Sequence, residues 1–261
     1  MSLRALLFDL DGTLADTEAL GHRPSYNEAF RELGLPFRWS ERLYARLLQQ
    51  SSGRSRLLHY LKRYQPELGP HAESVAESPE AWVEHVHALK TRHFQRLLER
   101  GEIPLRPGVA RLLREASTAG IKIAVVTNAS AGSLRPFLKH GLGQELSRCI
   151  ETIVGGDIRF ARKPAPDLYL HAIHKLGLAP YECVAIEDSQ MGLTAARAAG
   201  IPAVITQNAD TVSHDFLGAA LVLNQLGEPG APASVVRGHM DEPYLSLKTL
   251  RRIAIAAAPR L

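Results

Sequence analysis

Two different apolar periods run along this chain. Leu3-Arg4-Ala5-Leu6-Leu7-Phe8 is a nearly unbroken apolar run, and residues 3–9 read as a buried strand. From residue 17 to 100 the spacing becomes helical. Ala29, Phe30 and Leu33 share one face, and Ser40 is placed to cap a helix holding Leu43, Tyr44, Leu47 and Leu48. Ser51-Ser52-Gly53 breaks that helix, and Arg54 to Tyr64 resumes the pattern. Pro66, Pro70 and the polar stretch to Glu77 read as a loop. Ser78-Pro79-Glu80 then opens a long helix to Arg100, with proline in the first turn, where its missing N–H costs little.

Gly101 to Gly108, with Pro104 and Pro107, reads as a linker, and beyond it the pattern alternates. Predicted strands at 121–126, 150–154, 183–186, 203–206 and 221–223 are separated by helices at 109–119, from about Ser130, from about Asp167, and at 192–199. Strands alternating with helices predict a parallel sheet with right-handed crossovers. The expected architecture is an α/β core, residues 1–16 and 102–226, interrupted after its first strand by an all-helical insert, residues 17–101. Residues 227–261 form a C-terminal extension rich in Gly and Pro. It ends in a modest helical pattern over 245–257, with Leu247, Leu250 and Ile253 on one face.

Composition narrows the class. At 261 residues the chain can bury a sizeable core. No apolar stretch approaches the roughly 20 residues a membrane span needs. The N-terminus lacks the basic start and apolar core of a signal peptide. The two cysteines, Cys149 and Cys183, lie in apolar segments and read as buried thiols, so the expected home is the cytoplasm. The formal charge of +4 comes from arginines scattered among glutamates, with no dense basic run or aromatic-interleaved patch. The expectation is a monomer without nucleic-acid or membrane partners.

The chemistry lies at the strand ends. Asp9-Leu10-Asp11-Gly12-Thr13 follows the first strand, Thr127-Asn128 the second, Arg162-Lys163-Pro164 the loop after the third, and Glu187-Asp188-Ser189 the fourth. In a parallel sheet the carboxyl ends gather at one edge, so these clusters should converge. Three or four carboxylates together need a cation, and oxygen ligands with open positions suit Mg²⁺. A threonine hydroxyl, backbone N–H groups and a lysine facing it can hold a phosphoryl group. One carboxylate can attack phosphorus while a second moves the proton.

These four motifs, in this order, resemble the haloacid dehalogenase superfamily of phosphohydrolases. The helical insert is similar to the cap of its first structural class. The resemblance covers about residues 3–226 and implies a Rossmann-like parallel core under a helical cap. It implies Asp9 as nucleophile and Asp11 as general acid/base, with Thr127, Asn128 and Lys163 on the phosphoryl oxygens. It also implies Mg²⁺ held by Asp9, Asp188 and the backbone carbonyl of Asp11, with Glu187 close by. Asp11 argues against true dehalogenation, which needs no acid there.

Within the superfamily, Thr17-Glu18, Tyr26-Asn27-Glu28-Ala29-Phe30, Gly53-Arg54, Lys90-Thr91 and the 101–108 linker resemble the CbbY-like branch. That branch includes xylulose-1,5-bisphosphate phosphatases. The resemblance implies a phosphorylated sugar as substrate. Glu18 would face its hydroxyls, Tyr44, Gly53 and Arg54 would reach from the cap, and Lys90 and Arg106 would be candidates for a distal phosphate. The branch places a histidine shortly after this glutamate, whereas here Gly21 intervenes, His22 is four residues on, and Pro24 interrupts the expected helix start. A β-phosphoglucomutase or a phosphoglycolate phosphatase on the same scaffold is the alternative enzyme, and a non-catalytic binding protein the alternative class.

Overall fold

The computed structural model describes residues 2–50, 52–129, 131–155 and 160–259. They divide into two compact units. Residues 1–16, 104–131 and 142–261 form one, and residues 17–103 with 132–141 form the other.

The first unit is built on one sheet. Its strands are β1 (Ala5–Phe8), β2 (Lys122–Val126), β3 (Thr152–Val154), β4 (Cys183–Glu187), β5 (Ala203–Thr206), β6 (Leu221–Leu223) and β7 (Val235–Arg237). Their order is β3-β2-β1-β4-β5-β6-β7. Neighbours are parallel except β6 and β7. β1 is central, with Leu6 opposite Ile123 on one side and Val184 on the other. Both its faces are covered, which is why its sequence is continuously apolar rather than alternating. Chain order reverses at β1, and such a switch point opens a crevice beyond the strand ends.

The helices in chain order are α1 (Arg23–Glu32), α2 (Glu41–Leu47), α3 (Gly53–Tyr64), α4 (Ala72–Glu77) and α5 (Pro79–Glu99) in the helical unit. They continue with α6 (Val109–Thr118), α7 (Ala131–Pro136), α8 (Gly143–Ser147), α9 (Asp167–Leu176), α10 (Gln190–Ala198) and α11 (Leu247–Ala257). On one face of the sheet, Leu168, Tyr169 and Ala172 of α9 and Leu193 and Ala196 of α10 close over Leu7, Val126 and Ala185. α6 and α11 pack on each other and on the sheet. The helical unit has an aromatic core in which Tyr26, Phe30, Trp39, Tyr44, Tyr60 and Trp82 are buried together. Asn27 pins Trp39 there, donating to its carbonyl at 3.0 Å and accepting from its N–H at 2.7 Å. Ser40 caps α2 through the Leu43 N–H, and Ser52 caps α3 through the Ser55 N–H.

Five expectations change. Residues 72–77 form α4 rather than loop, because Pro70 sits in a preceding 3₁₀ turn where a proline costs nothing. Pro24 does not disturb α1, since it occupies the first turn, after a π-helical turn over Glu18–His22. Residues 132–141, assigned to the core by sequence, group with the helical unit, where the turn Phe137–Gly141 packs on α5. β7, with three exposed residues, has too little apolar pattern to announce itself. Cys149 is only half-buried, while Cys183 is buried and its thiol is pushed up to about 12. Ser130, named as a helix start, and Ser51, named in the break before α3, lie outside the described residues. The C-terminal extension packs onto the first unit, with Leu245, Leu250 and Ala254 buried.

Candidate active site

Asp9 leaves β1 with its N–H still donating to the Ile186 carbonyl at 2.9 Å, so the strand fixes where its carboxylate begins. The chain then turns at Gly12, whose φ of +83° a side chain would resist. Space decides as well: a Cβ on Gly12 would overlap Asp188 Oδ2. Glu187 ends β4, and Asp188 follows it. Asp9, Glu187 and Asp188 are buried, and each offers a carboxylate oxygen within 4.8 Å of the others. The Asp11 carboxylate lies outside that trio.

Lys163 holds this charge together. Its side chain is 4% exposed, and its Nζ donates to Asp9 Oδ1 at 2.7 Å, Glu187 Oε1 at 2.5 Å and the Val126 carbonyl at 2.7 Å. Burial opposes its charge, yet the two carboxylates raise its pKa and keep it an ammonium. Tyr169, on α9, donates to the same Glu187 oxygen at 2.6 Å. Burial pushes the Asp9 carboxyl up to about 8. Lys163 resists that shift, while the charges of Glu187 and Asp11 add to it. Burial, then Asp9 and Glu187, likewise hold Asp188 well above the ordinary carboxylate range. One ammonium cannot neutralise this many buried carboxylates, and Glu187 Oε2 has no hydrogen-bond partner among the described residues. The donor set is all oxygen, as a hard divalent cation requires.

Thr127 and Asn128 come off β2. The Thr127 hydroxyl accepts from the Ala129 N–H at 3.0 Å, which leaves its own proton to donate. The Asn128 side chain, expected on a phosphate, is engaged with Lys163. It donates to the Lys163 carbonyl at 3.1 Å and accepts the Lys163 N–H at 3.0 Å. It therefore braces the lysine loop, whose Lys163-Pro164 peptide is cis.

Arg106 corrects a second expectation. Its guanidinium donates to the backbone carbonyls of Gly12, Thr206, Gln207 and Asn224, and its Nε lies 3.2 Å from Asp16. With its N–H groups so committed and the residue 6% exposed, it is a clamp on the sheet edge rather than a phosphate ligand. Asn208, after β5, donates to Asp188 Oδ2 at 2.8 Å and to the Gly12 carbonyl at 3.2 Å.

In the helical unit the candidates separate. Glu18 and Tyr44 meet, the tyrosine hydroxyl donating to Glu18 Oε2 at 2.5 Å. Arg56 joins them, donating to Glu18 Oε2 at 3.1 Å and to the Tyr44 hydroxyl at 3.0 Å, with a second contact to Glu18 Oε1 at 3.0 Å. Burial, then Glu18, hold the Tyr44 hydroxyl well above its usual pKa, so it stays protonated. Arg54 is two positions away on α3, at the surface, and pairs with Glu84. Gly53 makes room for Tyr26, because a Cβ there would overlap the tyrosine hydroxyl. Lys90 is buried and donates to His22 Nδ1 at 2.8 Å, and the His22 ring lies against Phe94.

Sequence reading missed Tyr169, Asn208 and Arg56. Tyr169 and Asn208 lie outside the short motifs. Arg56 lies in the same segment as Arg54, and only helical phase separates the inward arginine from the outward one.

Fold and site together define a phosphohydrolase of the doubly wound α/β class. The haloacid dehalogenase-like hydrolase family matches residues 3–200. The chain is 43% identical over 230 residues to the plasmid protein CbbY of Cupriavidus necator, spanning 88% of each. It is 39% identical to a CBBY-like protein of Arabidopsis thaliana, over 86% of this chain and 70% of that one. A CbbY variant from Rhodobacter sphaeroides, crystallised in complex with xylulose-(1,5)bisphosphate, superposes with a TM-score of 0.76 at 35% identity, over 87% of this chain and 96% of that one. The chain belongs to the haloacid dehalogenase-like hydrolase family, as a CbbY-like phosphatase.

Proposed function

We propose that this protein is a Mg²⁺-dependent phosphatase that hydrolyses a sugar bisphosphate of the xylulose-1,5-bisphosphate type through an aspartyl-phosphate intermediate. The observation that carries the reading is Asp9, buried at the end of the central strand and held by Lys163 beside Asp188 and Glu187. The relatives named for CbbY, and the solved CbbY variant bound to xylulose-(1,5)bisphosphate, support the substrate class.

Asp9 and Asp188, with Glu187 beside them, would hold Mg²⁺, which when bound supplies positive charge against the phosphoryl oxygens. Asp9 attacks phosphorus, forming the Asp9–O–P bond as the bond to the sugar oxygen breaks. Asp11 gives its proton to that leaving oxygen. Asp11 then takes a proton from water. The water oxygen attacks phosphorus, the Asp9–O–P bond breaks, and phosphate leaves. Lys163 orients the Asp9 oxygen and offsets charge that grows on the phosphoryl group, and the Thr127 hydroxyl donates to it.

In the helical unit, Glu18 would accept from sugar hydroxyls, oriented by Tyr44 and Arg56. Lys90, Gly53 and Arg54 are the further candidates for substrate contact.

Phosphate release from a panel of sugar phosphates and bisphosphates, with and without Mg²⁺, tests the reading. The expected result is Mg²⁺-dependent turnover of a pentulose bisphosphate far above the rest, abolished in Asp9→Asn. Equal, feeble turnover of every substrate would remove the substrate assignment. Isomerisation of glucose 1-phosphate without net phosphate release would replace it with a mutase.

A further inference from the structure

Asn208 lies 196 residues from Gly12 and 20 from Asp188, yet one nitrogen, Nδ2, reaches both. The two faces of its amide are not interchangeable. Oδ1 accepts from the Asp210 N–H at 2.9 Å, the Thr211 N–H at 3.1 Å and the Thr211 hydroxyl at 3.2 Å. The Asn208 N–H in turn donates to Thr211 Oγ1 at 3.0 Å. An oxygen surrounded by three donors cannot exchange places with an NH₂, so this turn after β5 locks Nδ2 toward the site. Thr211 is buried, which protects the lock from water.

Nδ2 ties one member of the carboxylate trio to the turn that follows another. Asp188 Oδ2 is one partner. The Gly12 carbonyl is the other, in the turn that carries Asp9 and Asp11. The same carbonyl also accepts from Arg106, so its position is set by two donors arriving from two different elements. A side chain at residue 12 would overlap both Asp188 Oδ2 and Asn208 Nδ2, so the glycine is what allows the contact.

We infer that Asn208 is a positioning residue that holds Asp188 and the 9–12 turn in one fixed geometry, occupying Oδ2 and leaving Oδ1 as the oxygen that would take the cation. The inference rests on the proposed function, in which Asp188 is a Mg²⁺ ligand. Outer partners of ligating carboxylates commonly set metal affinity as strongly as this, because they remove the rotational freedom of the ligand.

The test is Mg²⁺ binding to the full-length protein by isothermal titration calorimetry, alongside kcat and KM at saturating Mg²⁺ and the urea midpoint. Asn208→Ala should weaken Mg²⁺ binding by about 10- to 100-fold. Its KM for substrate should change by less than about twofold once metal saturates, because the residue touches no substrate-facing group. Thr211→Val keeps the amide but removes the hydroxyl that locks it, and should weaken Mg²⁺ in the same direction by less. That variant carries the test alone if Asn208→Ala fails to fold. A lower urea midpoint with wild-type Mg²⁺ affinity in both variants would mean a purely structural turn, and would overturn the inference while leaving the proposed function standing. Failure of the wild-type protein to bind Mg²⁺ would overturn the proposed function, and the inference with it.

Discussion

Arg106→Met removes a guanidinium that is 6% exposed and donates to four backbone carbonyls. Methionine fills much of the same volume, so the loss is chiefly polar. Gly12 keeps its bond from Asn208, while Asp16 Oδ1, a buried oxygen, loses the guanidinium beside it. The carbonyls of Thr206, Gln207 and Asn224 lose a charged donor at the ends of β5 and β6. Each such loss costs about 1–3 kcal/mol where water cannot replace the donor. Some rehydration at the sheet edge keeps the sum on the order of 3–5 kcal/mol, the range seen when a buried charge loses its partners. Arg106→Lys retains the charge but has a single nitrogen with three donors, and should recover about half. Urea denaturation followed by far-UV circular dichroism reads this. Tryptophan emission is the wrong probe, since Trp39 and Trp82 both belong to the helical unit. A loss below about 1 kcal/mol in Arg106→Met would refute the clamp. Unchanged stability with a tenfold higher KM for a bisphosphate would restore the phosphate-binding role expected from sequence.

Lys163→Met should lose at least about 1,000-fold in phosphate release, measured at saturating Mg²⁺, because Asp9 and Glu187 are left without their cation and Asp9 without its orienting donor. Gly12→Ala should cost about 1–3 kcal/mol in urea denaturation from its left-handed backbone and should displace Asp188, so activity should fall with it. His87, on α5, is pushed down to about 3 by burial and then by Lys90. Between pH 6.5 and 3 the unfolded chain therefore binds a proton that the folded one does not, and stability falls as pH falls. The effect at pH 5 is about 2 kcal/mol, and tryptophan-monitored urea midpoints should lose that pH dependence in His87→Gln.

The local elements were legible because local rules decide them. Residues 203–206 and 221–223 are strands with the bounds their apolar runs predict, and Ser40 and Pro79 mark helix starts by chemistry that operates within a turn. Elements without such signals, α4 and β7, were not legible. Convergence of the four motifs on one sheet edge followed from parallel pairing alone, since every strand that carries one points the same way.

The tertiary structure decided the rest. Lys163 meets Asp9 across 154 residues, and Arg106 meets Asn224 across 118. No spacing rule reaches that far, because these partners are chosen by which loops the sheet stacks side by side. For the same reason Arg106 became a clamp, Arg56 took the inward position beside Glu18, and Asn128 became a brace. The sequence by itself determined which reaction groups the chain carries and on which strand ends. Only the folded chain decided which of them share a desolvated space, because burial and hydrogen-bond geometry belong to the packed arrangement of elements and not to any one of them.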